Sequence, residues 1–242
     1  IPFAESIHSD RILRENNEKM RQEFTANVSH ELKTPLTSIS GYAELIETGI
    51  AKPEDTPGFA RKIHVEASRM IQLVNDILQL SHLDNVSETG AAPAMETVDL
   101  LDVAKDCVER QKLNAQRSFI SLTYLGESAR VLGNRDQLDE LCQNLCDNAI
   151  RYNRPGGKVQ LITSCTRDGH CTLTVKDNGI GIPKEAQTSV FERFYRVDKS
   201  RSKATGGTGL GLSIVKHAVQ LLGGELRLES NPGQGTTMTV LL

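Results

Sequence analysis

From about Asp10 to Ile50 apolar residues recur mostly every three or four positions: Met20, Phe24, Val28, Leu32, Leu36, Ile39 and Leu45. That interval is the helical period, so one long helix is expected. The stretch before Met20 is mostly polar, with Ile12 and Leu13 as its main apolar positions, and reads as the end of a coiled coil. Pro35 lacks an N–H to give the Glu31 carbonyl, so a bend or loosened turn is expected there. Gly49 to Gly58 holds two glycines and two prolines and reads as a turn. A second helix follows from Phe59 to Asp84, with Ile63, Met70, Val74, Ile77 and Leu78 toward one side and Leu80 and Leu83 near its end. Two helices and a short loop make an antiparallel hairpin. Each apolar stripe still needs a partner, and pairing two hairpins into a four-helix bundle supplies it. A homodimer is the expectation.

Asn85 to Met95, with Gly90, Ala91, Ala92 and Pro93, is a composition break and reads as a linker. Beyond it the period alternates. Helices are expected over Leu100–Gln116, Arg135–Arg151 and from Gly209 to about Leu222. Strands are expected over 118–124, 158–165, 171–176, 225–229 and 236–241. Arg167-Asp168-Gly169 reads as a hairpin turn and Asp177 to Gly209 as a long loop region. The second domain is therefore mixed, with helices against a largely antiparallel sheet.

Composition narrows the function classes. The 242 residues carry 28 Lys and Arg against 31 Asp and Glu, a net charge of −3, which gives no support to nucleic-acid binding. The absence of Trp leaves the core to Leu, Ile and Val. The five cysteines, Cys107, Cys142, Cys146, Cys165 and Cys171, form no CxxC pair, so a disulfide framework is not expected and buried thiols are. Cys142 and Cys146 lie four apart, but nothing at metal-site spacing completes a set around them. No run of 18 apolar residues is present, and the first residues lack the parts of a signal peptide. A charged helical pattern opening on a non-Met residue reads as part of a longer protein.

Chemistry concentrates in three places. In Ser29-His30-Glu31-Leu32-Lys33-Thr34-Pro35 a neutral imidazole has a lone pair that can attack phosphorus. Glu31 can take the ring proton or hold the tautomer, and Thr34, one turn on, can hold a water. Alone, such a His is more often an incidental exposed residue; His8, His64, His82, His170 and His217 lack comparable neighbours. Second, Asn144 and Asn148 share a helical face, and carboxamide oxygens are hard ligands suited to Mg²⁺. Arg151 can reach phosphate oxygens from the same helix. Third, Asp177-Asn-Gly-Ile-Gly-Ile-Pro183 follows a strand. A buried Asp there can accept from an exocyclic amine, with Gly179 and Gly181 letting backbone close on a flat ring. Gly206, Gly207, Gly209 and Gly211 then open a helix whose N-terminus favours phosphate. Asn pairs are more often solvated and glycine clusters more often plain turns, so no element decides alone. No Walker-type phosphate loop, protein-kinase signature or Rossmann context is present.

The run Phe24 to Tyr42 resembles the phospho-acceptor box of bacterial sensor histidine kinases with a HisKA-type dimerisation domain. The order of Asn144–Tyr152, Asp177–Gly181 and Gly207–Gly211 resembles the ATP-binding fold shared by histidine kinases, DNA gyrase, the Hsp90 chaperone and MutL. Phe191-Glu-Arg-Phe-Tyr-Arg196 and Gly233-Gln-Gly-Thr-Thr237 match the histidine-kinase version. The likeness covers about Glu18 to Leu242. It implies a helical hairpin dimerising as a four-helix bundle, followed by an α/β sandwich ATP-binding domain. The implied division is an upstream coiled-coil end at 1–18, a dimerisation and phosphotransfer domain at 19–88, a linker at 89–96 and a catalytic domain at 97–242.

The resemblance implies that His30 is autophosphorylated from ATP, with Glu31 assisting and Thr34 supporting dephosphorylation of the partner. Asn148 would be the main Mg²⁺ ligand and Asn144 its helper; Asp177 would bind the adenine amino group. Arg151 and Arg196 would face the phosphates, Tyr152 would belong to the nucleotide site, and Gly207, Thr208, Gly209, Leu210 and Gly211 would hinge and cradle a lid. Phe191 and Phe194 would anchor that lid or be ordinary core, and the Lys199–Lys203 run would be lid or solvated loop. The implied partners are a second copy and a response-regulator receiver domain. The implied location is the cytoplasmic part of a membrane-linked sensor, attached only through upstream segments. Two positions depart from the family: Arg151 stands where Lys is commoner, and Asn153 where Thr or Ser is. Altered kinetics are the most these should cause. An ATPase without phosphohistidine and a scaffold with a degenerate ATP site are the competing readings.

Overall fold

The computed structural model describes residues 2–89, 94–167, 169–198 and 207–242. In the first helix, side chains are described for residue 19 and from 22 onward, and in the second helix up to residue 87. The chain divides into two compact units, 1–75 and 76–242.

The first unit holds α1 (Pro2–Glu47) and the opening turns of α2 (Thr56–Thr89). The α1 helix continues through Pro35, whose ring is buried, so the expected bend does not interrupt it. Loss of one backbone hydrogen bond is tolerable where flanking turns are intact. The turn closes on Gly49, at φ 68°, with Ala51 N–H donating to the Leu45 carbonyl at 2.8 Å. Across it Tyr42 stacks on Phe59 with centroids 5.5 Å apart, and the Lys62 ammonium lies over both rings. The hairpin leaves Leu36, Val65, Ile71 and Val74 exposed.

The second unit contains the end of α2 and a two-layer sandwich. Its elements are β1 (Glu96–Asp99), α3 (Leu100–Arg117), β2 (Ser121–Gly126), β3 (Arg130–Gly133), α4 (Arg135–Arg151), β4 (Lys158–Cys165), β5 (Cys171–Asp177), α5 (Gly211–Leu221), β6 (Glu225–Asn231) and β7 (Gly235–Leu241). Five strands form one sheet in the order β2-β4-β5-β7-β6, with β2 parallel to β4 and the other neighbours antiparallel. Alternate residues Val159 and Leu161, Leu173 and Val175, and Met238 and Val240 are buried. They join Leu100, Val103 and Val108 of α3, Leu138, Leu141 and Leu145 of α4, and Val215 and Val219 of α5 in one core. Period-2 and period-3.6 stripes meet in this layer, as binary patterning requires. The fold is a helical hairpin followed by an α/β sandwich, as expected.

Two strands lay outside the expected set: β1 and β3 pair with each other, antiparallel, apart from the main sheet. At four residues each they are too short to be read from the sequence, although β3 does alternate, burying Val131 and Gly133. The second helix also runs on to Thr89, past the expected end at Asp84.

The cysteines divide. Cys107, Cys142 and Cys146 are buried thiols between α3 and α4. Cys165 and Cys171, contrary to expectation, form a disulfide. They face each other in register across the β4–β5 hairpin, with Cα atoms 4.1 Å apart. Only the strand register reveals that pairing, because their sequence spacing matches no common cysteine motif.

One carboxylate ties three elements together. Asp99 caps α3 by accepting from Leu101 N–H at 2.9 Å, and also accepts from Ala129 N–H at 3.0 Å and the Ser128 hydroxyl. Burial opposes its charge, but these hydrogen bonds outweigh it and hold its pKa below the ordinary value. Asp99→Ala should cost about 1–2 kcal/mol in urea unfolding at pH 7, the usual range for a lost cap. Because the folded pKa is depressed, this contribution is present above the ordinary Asp range and lost as pH falls through the lowered value. Wild type and variant should therefore converge in acid.

Candidate active site

The residues expected to face a nucleotide come from three stretches that the sandwich brings together. Helix α4, capped by Asn134 through Gln137 N–H, presents Asn144, Asn148 and Arg151 on successive turns. Arg151 is held by Asp147 one turn back, at 2.6 Å. At the helix end the Tyr152 carbonyl accepts from Ile180 N–H at 3.1 Å, joining α4 to the Asp177–Gly181 stretch.

Asp177 is the last residue of β5. Its Oδ1 accepts from Gly179 N–H at 2.7 Å and Thr236 N–H at 3.2 Å. Both bonds fall on one carboxylate oxygen. Burial pushes its pKa above the ordinary value despite the two N–H donors. Gly235, at φ 100°, lets β7 pass against the Asp177 carbonyl, where any Cβ would collide. Ser230 and Gln187 support the same stretch: Ser230 Oγ accepts from Ile182 N–H at 2.8 Å, and Gln187 Nε2 donates to the Ile182 and Ser230 carbonyls.

The second glycine stretch closes over α4. A Cβ on Gly207 would stand 3.1 Å from Tyr152 Oη and 3.2 Å from Arg151 Nη1. Gly211, the first residue of α5, is placed likewise beside Asn144 Oδ1 and Asn148 Nδ2. Gly209, at φ 77°, packs on the Phe194 backbone, and Phe194 N–H donates to the Gly209 carbonyl at 2.9 Å. Leu210 is fully buried and anchors the turn, with Ser213 Oγ donating to its carbonyl.

Each expected nucleotide-site residue is therefore described. Asn144, Asn148, Arg151, Tyr152, Gly207 and Gly211 converge. Asp177, Gly179 and Gly181 form the neighbouring floor through the Tyr152–Ile180 link. Thr208, Gly209 and Leu210 lie in the closing turn, and Arg196 is half-buried beyond Phe194. Phe191 packs on the core, and Phe194 takes φ 64° against Gly209. The Lys199–Lys203 run and Gly206 lie outside the described residues. Asn153 braces the turn after α4, donating to the Lys158 carbonyl and accepting from Arg154 N–H. Sequence reasoning missed Ser230 and Gln187, and did not separate Thr236 from its glycine stretch. All three act through backbone bonds that reach across tens of residues.

The histidine stretch lies in the first unit. His30 is exposed on α1, and Thr34 Oγ1 donates to the His30 carbonyl at 3.2 Å, so the two residues share one side of the helix. Glu31 is half-buried, with its carboxylate 3.7 Å from the Arg69 guanidinium of α2.

The carboxamides of Asn144 and Asn148, on adjacent turns of α4, are of the hard-ligand type that suits a divalent cation. Asn144 Oδ1 and Asn148 Nδ2 lie beside the N-terminus of an 11-residue helix, where anionic ligands are favoured, and half a turn of the Asn148 amide would present its oxygen instead.

Comparison with known proteins shows the family to which the chain belongs. Residues 20–86 match the His Kinase A (phospho-acceptor) domain family, and residues 133–242 match the histidine kinase-, DNA gyrase B- and HSP90-like ATPase family. The sensor-like histidine kinase SenX3 of Mycolicibacterium smegmatis is 40% identical over 239 residues, covering 98% of this chain and 61% of that protein. The chain thus spans less than two thirds of that relative's length. Among solved structures, the mycobacterial sensor histidine kinase MprB is 33% identical, with a TM-score of 0.54 over 62% of this chain and 97% of that one. Histidine kinase ThkA in complex with response regulator protein TrrA is 21% identical, with a TM-score of 0.70 over 95% of this chain and 63% of that one, and shares the fold.

Asp177 sets a stability expectation that is independent of ligand. Because its folded pKa is raised, its favourable contribution is present below the ordinary Asp value of 3.8 and lost as pH rises through the raised one. Asp177→Asn keeps an Oδ1 acceptor and removes the buried charge. In urea unfolding the variant should therefore gain on wild type as pH rises from 4 to 7.

Proposed function

The chain belongs to the sensor histidine kinases, and from that premise we propose that it phosphorylates its own His30 from ATP and passes the phosphoryl group to an aspartate of a response regulator. The observation that carries this reading is the convergence of Asn144, Asn148, Arg151 and Gly207–Gly211 beside the Asp177 floor. Asp177 would receive the adenine amino group on its second carboxylate oxygen, the first being occupied by Gly179 and Thr236 N–H. Arg151, Arg196 and the α5 N-terminus would hold the phosphates. Mg²⁺ held by Asn148 and Asn144 would neutralise phosphate charge.

A neutral His30 nitrogen attacks the γ-phosphorus, the N–P bond forms, and the bond from phosphorus to the ADP oxygen breaks. Glu31 accepts the proton from the other ring nitrogen, directly or through water. An aspartate oxygen of the regulator then displaces the histidine. Thr34, on the His30 side of α1, would position a water for hydrolysis of the regulator's acyl phosphate. ThkA, with which this chain shares its fold, was crystallised with a response regulator, which supports that partner class. Homodimerisation is supported by the exposed Leu36 of α1 and the exposed Ile71 and Val74 of α2, apolar side chains that a second copy would cover. We place this core on the cytoplasmic side of a membrane-bound sensor, by analogy with its sensor-kinase relatives.

Incubation with γ-labelled ATP and Mg²⁺ should give an acid-labile adduct on wild type and none on His30→Gln; label retained by the variant overturns the assignment. Asp177→Asn turns an amide donor toward the adenine amino group and should weaken nucleotide binding by more than about tenfold in calorimetry, the scale of an unpaired buried donor. Thr34→Ala should retain autophosphorylation while slowing loss of label from the phosphorylated regulator.

A further inference from the structure

Cys165 and Cys171 close the β4–β5 hairpin at the end away from the candidate site. Seven residue pairs make up the ladder between these strands, from Val159–Asp177 at one end to Cys165–Cys171 at the other. Beyond the cysteines the Thr166 N–H donates to the His170 carbonyl at 2.8 Å, and the Gly169 N–H to the Thr166 carbonyl at 3.0 Å. On the next pair inward the Ser164 and Thr172 hydroxyls meet at 2.9 Å. Toward β7, Cys171 exchanges both backbone bonds with Leu242, at 3.0 and 2.9 Å. Hydrogen bonds therefore hold the two cysteines face to face from either side, and the sulfur–sulfur bond is not needed to keep them there. A bond that closes so short a loop also restricts the unfolded chain less than one that closes a long loop.

The two sulfurs differ in their surroundings. Cys165 is half-buried beside the exposed Thr166, Arg167 and His170, whereas Cys171 is 1% exposed. The Cys171 sulfur lies 3.6 Å from the Arg130 carbonyl oxygen and 3.9 Å from that of Gly169. A thiol formed there finds acceptors already in place, so the reduced hairpin needs no rearrangement to satisfy it. Exposed disulfides are the labile ones, and exchange depends on which sulfur an incoming thiol can reach. We propose that Cys165 and Cys171 form a reversible thiol–disulfide couple that exchanges with low-molecular-weight thiols, with Cys165 as the sulfur attacked. The incoming thiolate bonds to Cys165 Sγ, the Cys165–Cys171 bond breaks, and Cys171 leaves with the electron pair and takes a proton from water. A second small thiolate then attacks the small-thiol sulfur of the mixed disulfide and releases Cys165 as a thiolate. Two small thiols are thus oxidised to their disulfide as the protein pair is reduced, and the reverse sequence restores the bond. None of this chemistry draws on the ATP-site residues.

Trypsin cuts after Arg167, so the two cysteines leave the protein in separate peptides, Val159–Arg167 and Asp168–Lys176, joined only while the disulfide is intact. The whole folded chain is equilibrated in glutathione buffers from mainly oxidised to mainly reduced, quenched in acid, alkylated, digested and read by mass spectrometry. The joined peptides should give way to the separate ones within this series and return when reduced protein is moved back to the oxidised buffer. Peptides that stay joined throughout, never join or fail to rejoin overturn the couple. Reduced wild type shows which sulfur is reached: a brief pulse of iodoacetamide should alkylate Cys165 about tenfold more than Cys171, as exposure of the thiolate dictates. Cys171→Ser should accumulate glutathione on the Val159–Arg167 peptide, and Cys165→Ser should leave the Asp168–Lys176 peptide unmodified. Equal labelling of the two cysteines in the pulse, or equal glutathione adducts in the two variants, overturns the assignment of Cys165. The pulse needs no variant, so it decides even where a substitution unfolds the chain.

Discussion

The site depends on how one carboxylate is spent. Asp177 Oδ1 is used structurally, bonded to Gly179 and Thr236 N–H, so it pins the end of β5 to the glycine turn after it and to the start of β7. Those bonds leave the second oxygen as the one suited to ligand recognition. Burial pushes its pKa above the ordinary value even against the two N–H donors, so the fold makes its charge costlier than it would be in water. Gly235 and Ser230 make sense only around this arrangement: the first lets the backbone approach, and the second bonds the far side of the same turn. A site that holds an unfavourable charge in place is a common sign that the charge is wanted for function.

Much of the fold was legible in the chain. The α4 helix begins and ends at the residues its period indicates, Arg135 and Arg151, because a long amphipathic stripe with an Asn cap leaves little freedom. Strands β4 and β5 were equally plain, since each buries every second residue. What escaped was short or non-local. Both β1 and β3 are four residues long, and the antiparallel ladder between them is buttressed by Asp99 reaching Ser128 and Ala129. The Cys165–Cys171 bond depends on a strand register that spacing alone does not disclose. In the candidate site, the residues with distinctive chemistry could be named from the sequence as candidates, and those that only brace backbone, Ser230 and Gln187, could not. A Ser or Gln that donates or accepts one main-chain bond has no sequence signature.

Two departures from the family pattern have local explanations. Asn153, where Thr or Ser is commoner, makes two hydrogen bonds in the turn between α4 and β4, from the amide's two ends. A hydroxyl could not span both at that length. Arg151 is tethered to Asp147 while its guanidinium lies beside Gly207. The forked head suits that double duty better than a lysine's single ammonium, which would have to choose between them.

The continuity of α2 has a further consequence. It is one unbroken helix, Thr56–Thr89, yet the boundary between the two compact units falls at residue 75. Within the second unit the last turns of α2 bury Asp76, Leu80 and Leu83, and their places are set by phase rather than by distance. Adding or removing one residue between Asp76 and Leu80 would shift the rise by only about 1.5 Å but would turn the residues beyond it by about 100° relative to Asp76. Asp76 and the Leu80–Leu83 pair could then not keep their buried places together. Between Asp76 and Leu80 the chain should therefore tolerate a change of residue type at the exposed Leu78 far more readily than a change of residue number.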